Sequence, residues 1–126
     1  MPKNNKINDG FLKKLYSEIK LKSENFEPHK SYSAYLTSLG AESIGKKLIE
    51  EVFELSVANI EFEKFPEKRS AVIYEAADVV YHMLALLVSR KIEFSEIIAE
   101  LEKRNNNKSD VMISAKTKSK SIKSKI

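Results

Sequence analysis

The chain has 126 residues, 42% of them hydrophobic and 32% charged, with a formal net charge of +4. That length suits one domain with its own core, and the balance excludes wholesale disorder. There is no cysteine, which excludes disulfide frameworks, thiolate zinc or iron–sulfur sites and thiol nucleophiles together.

The N-terminus, Met1 to Asn8, is rich in Lys and Asn and lacks the apolar run of a signal peptide. With only three glycines and three prolines, and apolar residues recurring every three or four positions, the fold class expected is all-α: a bundle of about five helices joined by short loops. The first helix is predicted from about Asp9 to Leu21, presenting Phe11, Leu12, Leu15 and Ile19 on one face. Ser31 is placed to cap a short second helix carrying Tyr32, Tyr35, Leu36 and Leu39. Gly40 stands where a left-handed stop is expected.

The third helix is predicted from about Glu42 to Lys64, with a broad stripe of Ile44, Leu48, Ile49, Val52, Phe53, Leu55 and Ile60. Pro66 breaks it, having no amide hydrogen and disfavouring helix in the residue before it. The fourth helix, about Glu67 to Arg90, is apolar nearly all round, which predicts cover on several sides and hence a homodimer that completes a four-helix-type core. Its acids and His82 interrupt the run Ala71 to Val88 too often for a membrane span, so the protein is expected to be soluble, cytoplasmic and without a membrane partner. A fifth helix, about Glu93 to Asn105, presents Phe94, Ile97, Ile98 and Leu101. Beyond it, residues 108–126 form a Lys/Ser-rich tail with six lysines against Asp110 alone, predicted to be flexible and set apart from a domain over 1–107. The domain itself is nearly neutral, so nucleic acid is expected to bind at most weakly, through the tail.

Glu51 and Glu54 are three residues apart, as are Glu75 and Asp78, so each pair projects from one side of its helix with Cβ atoms about 5–6 Å apart. In an antiparallel hairpin, residues equidistant from the turn lie level. Glu54 with Glu75, and Glu51 with Asp78, share a midpoint beside Lys64, Phe65 and Pro66, where the break falls on independent grounds. The acids of both helices should therefore form one four-carboxylate cluster. Such a cluster is relieved by protonation or by cations, and all-oxygen donors favour Mg²⁺, with Mn²⁺ as the alternative. A triphosphate chain is a natural ligand for it. The plainer alternative is a solvated acidic helix face. It fits Glu50, Glu51 and Glu54 better than Glu75 and Asp78, which break an apolar helix.

The run Glu50-Glu51-Val52-Phe53-Glu54 matches the EExxE motif of the MazG-like all-α nucleotide pyrophosphohydrolases, and Glu75-Ala76-Ala77-Asp78 their ExxD. Within that group the chain resembles the phosphoribosyl-ATP pyrophosphohydrolases over roughly residues 11 to 104. The further matches are Ser31-Tyr32-Ser33-Ala34-Tyr35-Leu36, Gly40, Lys46-Lys47, Val79-Val80-Tyr81-His82 and Ala99-Glu100-Leu101-Glu102-Lys103-Arg104. Ser43, Tyr74 and the lysine-rich tail depart from the family pattern. The resemblance implies hydrolysis of phosphoribosyl-ATP to phosphoribosyl-AMP and pyrophosphate, the second step of histidine biosynthesis, by a dimer with Mg²⁺ held at Glu51, Glu54, Glu75 and Asp78.

On that reading water attacks the α-phosphorus while cations offset charge on the departing pyrophosphate. Glu50, Glu51 and Glu54 are the catalytic candidates. Lys47 and Lys46, a turn before the acids, are the phosphate-binding candidates, with Ser31 and Tyr32 as further substrate contacts. His82 fits a hydrogen-bonded histidine inside the bundle better than a ligand. Two other functions stay open: a housecleaning pyrophosphohydrolase acting on dUTP, dCTP or damaged nucleotides with the same acids, and a non-catalytic adaptor using its basic tail. A di-iron bundle is disfavoured because neither His29 nor His82 follows a Glu at the required three-residue spacing.

Overall fold

In the computed structural model, which describes residues 9–107, five α-helices follow one another with no strand among the described residues. They are α1 (Asp9–Asn25), α2 (Tyr32–Ser38), α3 (Ala41–Lys64), α4 (Arg69–Ser89) and α5 (Phe94–Asn106), with single 3₁₀ turns at Pro28–Lys30 and Pro66–Lys68. The expected all-α class is thus observed. The lysine-rich tail and its expected flexibility lie outside the described residues.

Two compact units divide the chain, the second beginning at Ser95 within α5. In the first, α3 and α4 form the antiparallel hairpin, and α1 and α2 pack on each other and on α4. Its core is built from Tyr16, Ile19, Ala34, Leu36, Ile44, Leu84, Ala85, Leu87 and Val88. The second unit's described part is the remainder of α5, where Arg104 pairs with Glu100 one turn earlier at 3.0 Å.

Helix boundaries follow local chemistry. Helix α1 runs past Leu21 to Asn25, because nothing before Pro28 forbids helix and Asn25 Nδ2 donates to the Leu21 carbonyl at 2.8 Å. The Ser31 hydroxyl oxygen accepts from the Ala34 amide at 3.2 Å, the cap expected of it. Pro66 ends α3 as expected and opens a 3₁₀ turn before α4 resumes.

Gly40 corrects its expectation. Its φ of −67° and ψ of 167° are extended, not left-handed. With α2 ending at Ser38, this residue must start α3, and an N-cap takes β-region angles; its carbonyl accepts the Ile44 amide at 3.0 Å. The left-handed position is Lys91, φ 60°, the one non-glycine residue with positive φ among those described. There the Ile92 amide donates to the Leu87 carbonyl and the Lys91 amide to Val88, a Schellman stop for α4. The turned chain brings the Ile92 carbonyl within 2.7 Å of the Tyr16 hydroxyl, which donates to it and ties α1 to the end of α4.

Helix α4 is covered only along part of its length. Leu84, Ala85, Leu87 and Val88 are buried, but Ile73 and Tyr74 are more than half exposed, as are Ile49, Phe53 and Ile60 of α3. The segment Pro66–Ser89 is long and apolar enough by composition to cross a membrane, yet it carries Glu75, Asp78 and His82, and these meet acids of α3.

Candidate active site

The register inferred from the turn is the one observed. Glu51, Glu54 and Glu75 bring one carboxylate oxygen each within 4.8 Å of one another. Glu51, Asp78 and His82 form a second triplet on the same criterion. Glu51 belongs to both and is only 8% exposed. Glu75 and Asp78 are half-buried and Glu54 is exposed, so the cluster opens to solvent on the Glu54 side.

The site is electrostatically unsettled without a counter-charge. Desolvation first, then the charges of Glu54, Asp78 and Glu51 and a hydrogen bond with Glu54, raise the Glu75 carboxyl above the usual carboxylate range. Its Oε1 is shut off from solvent with no hydrogen-bond partner. A buried acceptor among like charges is what a cation relieves, so the residues fit a divalent ion. The all-oxygen triplet suits Mg²⁺ or Mn²⁺. In the other triplet both ring nitrogens of His82 already have partners: Nδ1 lies 2.7 Å from the Asp78 carbonyl and Nε2 lies 2.9 Å from the Tyr32 hydroxyl. His82 is therefore the hydrogen-bonded histidine of the bundle interior that its position suggested.

The other predicted residues separate. Glu50 is outside both triplets; its carboxylate lies 3.6 Å from the Lys47 ammonium on the exposed side of α3. Lys47 is about one-third exposed. The Tyr32 phenol foremost, and Glu50 and Glu51 after desolvation, act on Lys47, with a net rise that keeps it cationic. Lys46 instead pairs with Glu42 at 3.5 Å, both well exposed, an arrangement of little energetic weight. Ser31 caps α2, and Tyr32 leans from the same helix onto His82.

Ser33 has no role in the sequence beyond its place in the motif Ser31 to Leu36. It is buried, and its hydroxyl lies 2.5 Å from that of Tyr81. The available signal was a small polar residue spaced with Leu36 and Thr37 on the inner face of α2. Tyr32, Tyr81 and His82 form an aromatic cluster, with Tyr32 and Tyr81 stacked at 6.1 Å and His82 edge-on to both. A cleft of about 650 Å³ lies elsewhere, lined by Tyr16, Lys20, Thr37, Lys91 and Glu93 among others, and shares no residue with the acids.

The sequence profile of the family described as phosphoribosyl-ATP pyrophosphohydrolase matches residues 12–105. The chain belongs to that family. A phosphoribosyl-ATP pyrophosphatase of Ignicoccus hospitalis is 41% identical over 99 residues, 79% of this chain and 91% of the relative. One from Pyrobaculum neutrophilum is 38% identical over 74% of this chain and 93% of its own length. A histidine biosynthesis bifunctional protein of Wolinella succinogenes is 40% identical over 75% of this chain, which spans only 39% of that longer protein. The span matched by the phosphoribosyl-ATP pyrophosphohydrolase profile takes in both triplets, Lys47 and Tyr32, and stops short of the lysine-rich tail.

Proposed function

We propose that this chain hydrolyses phosphoribosyl-ATP to phosphoribosyl-AMP and pyrophosphate, the second step of histidine biosynthesis, as a Mg²⁺-dependent homodimer in the cytoplasm. The observation that carries the reading is the pair of triplets sharing Glu51, one holding a buried and unpartnered Glu75 oxygen, in a chain of this family. The substrate comes from the names of the relatives. Their link to histidine biosynthesis comes from the bifunctional one.

Glu51, Glu54, Glu75 and Asp78 would hold Mg²⁺, or Mn²⁺ in its place. When bound, the ion supplies positive charge that offsets the charge building on the pyrophosphate. The chain's own groups do the rest. The Lys47 ammonium, steadied by Glu50 at 3.6 Å, binds phosphate oxygens, and Lys46 extends the positive ground outward. The Ser31 hydroxyl, whose oxygen accepts from Ala34, keeps its hydrogen to donate to a phosphate oxygen. Glu54 is the exposed carboxylate among these four and fits the acceptor of the proton lost as water attacks the α-phosphorus and the α–β bond breaks. Glu51, withdrawn from solvent, holds the two groups of acids together. Glu50 contributes through Lys47.

The exposed apolar residues Ile49, Phe53, Ile60, Ile73 and Tyr74 support the dimer. Covering what remains exposed of each is worth about 1–2 kcal/mol. The deciding assay is release of pyrophosphate from phosphoribosyl-ATP by the purified chain, with Mg²⁺ and with chelator, beside dUTP and dCTP. Rapid, Mg²⁺-dependent turnover of phosphoribosyl-ATP is expected, with sedimentation as a dimer. Turnover no faster than that of the other nucleotides would reject the assignment.

A further inference from the structure

Tyr35, Tyr32 and Tyr81 form a row of three rings. Neighbouring centroids lie 6.0 and 6.1 Å apart, with planes only 27° and 13° from parallel. Near-parallel rings at that separation are displaced sideways like overlapping tiles, so none covers the whole face of the next. The inner end of the row is fastened: the Tyr81 hydroxyl is bonded to that of Ser33 on α2, and the Tyr32 hydroxyl to His82 on α4. The outer end is open, with Tyr35 44% exposed and Tyr32 49%, whereas Tyr81 is half-buried. Helix α2 sets this up, because residues three apart share a helix face and Tyr35 therefore stands beside Tyr32.

The row starts at the acids. The Tyr32 hydroxyl lies 2.9 Å from His82 Nε2, which lies 3.9 Å from the Glu51 carboxylate. The Tyr32 phenol and the Lys47 ammonium also act on each other, so Tyr32 and Lys47 belong to one end of the site. Tyr35 joins the row through Tyr32 and is the ring further out. A nucleotide with its phosphates at Lys47 has its base one ribose away, which is where Tyr35 stands open.

The base of phosphoribosyl-ATP is chemically distinct from that of ATP. Its second ribose sits on N1 of the adenine, which leaves the neutral base as a 6-imine that takes up a proton far more readily than adenine does. Near neutral pH the base is therefore a flat, delocalised cation, while the bases of ATP, dUTP and dCTP are neutral. The face of a phenol ring is the negative part of its quadrupole and attracts a cation laid over it, beyond the stacking that any base obtains.

We propose that Tyr35 is a specificity-determining residue: its ring face, next to that of Tyr32, receives the positively charged N1-substituted adenine and favours it over neutral bases. This rests on the proposed pyrophosphohydrolase function for its substrate, and on the ring geometry for the contact.

The test uses 1-methyladenosine 5′-monophosphate, which has the same cationic base and no bond between phosphates to hydrolyse, beside AMP. In calorimetric titrations of the full chain with Mg²⁺, the methylated nucleotide should bind about three- to tenfold more tightly than AMP. Tyr35→Phe keeps a ring face and should keep the preference, whereas Tyr35→Leu should abolish it. Equal affinities in the unmutated chain, or an undiminished preference in Tyr35→Leu, overturn the proposal. A readout that needs no variant is the proton spectrum of the unmutated chain, in which the Tyr35 ring signals should move upfield as the methylated nucleotide is added; signals that stay in place overturn the contact. In kinetics on phosphoribosyl-ATP, Tyr35→Leu should raise KM about tenfold with kcat nearly level. A loss confined to kcat marks a structural role and overturns the proposal. Hydrolysis of phosphoribosyl-ATP without any preference for the methylated nucleotide overturns this contact alone, whereas a Tyr35-dependent preference without hydrolysis upholds the contact and overturns the proposed function.

Discussion

The Glu51 carboxylate stands 3.9 Å from Nε2 of His82, the first side chain 11% exposed and the second 6%. A carboxylate this far withdrawn from water needs positive charge or hydrogen-bond donors nearby, and here it also contributes an oxygen to each acidic triplet.

That position predicts opposite effects of Glu51→Gln on two observables. Activity on phosphoribosyl-ATP should fall by about a hundred- to a thousand-fold, the scale seen when a group stabilising transition-state charge is removed. The melting temperature of the metal-free protein should stay level or rise, because one of several crowded negative charges has gone. Steady-state kinetics and calorimetry on the same preparation check both. A fall in both would mark Glu51 as a structural residue.

Glu75 predicts how stability responds to pH. Its folded-state carboxyl is raised above the ordinary 4.5, so in the window above that value the folded chain holds a proton that the unfolded chain has released. Stability from this group is therefore fully present below the unfolded value and is lost as pH rises through the folded one. Without divalent ions, the melting temperature of the unmutated chain should fall relative to Glu75→Gln as pH is raised from about 4.5 toward neutrality. Mg²⁺ should reverse that fall near neutrality and do little at the acid end. Parallel curves for the two proteins would contradict the account.

Ser31 combines two roles that substitution can separate. Ser31→Ala removes the side-chain acceptor for the Ala34 amide and should cost about 1 kcal/mol of stability while raising KM. Ser31→Asp should keep the cap, but its carboxylate would face the substrate phosphates and raise KM further. Ser31→Thr should preserve both. Denaturant unfolding and KM for the three variants provide the comparison; a normal KM in Ser31→Asp would remove Ser31 from the substrate contacts.

Lys91→Gly should stabilise the protein by about 0.5–1 kcal/mol, since glycine adopts a positive φ without the steric cost of a Cβ. No change in kcat/KM is expected, as Lys91 lines the cleft that shares no residue with the acids. Urea unfolding beside the activity assay measures both.

The hairpin register was legible in the sequence because two independent signals agreed. Pro66 fixed the break, and the spacing of Glu51 and Glu54 against Glu75 and Asp78 fixed the midpoint. Helix α2 and its cap were legible for a similar local reason. Gly40 misled because a glycine between two helices can end one or begin the next, and only the length of the link decides. Lys91 carried no signal, since its left-handed angle is imposed by the Schellman bonds to Leu87 and Val88. The partner of His82 was out of reach because Tyr32 comes from a distant helix; the sequence offered an inward histidine without showing what held it. The bond between Ser33 and Tyr81 was hidden in the same way, since the two lie on helices far apart in the chain. The all-round apolar character of α4 calls for cover on several sides, and within one chain that cover reaches only its C-terminal half.

The bond from Tyr16 to the Ile92 carbonyl extends the reach of the site beyond the residues that line it. Helix α1 is the bed on which α2 lies, and α2 carries Tyr32 and is capped by Ser31. Losing a single phenolic oxygen at position 16 would remove that tie, leave the Ile92 carbonyl without it and loosen the bed under α2 by about 1 kcal/mol. Such a lesion would register as a slackened grip on the nucleotide while the acids on α3 and α4 stood undisturbed.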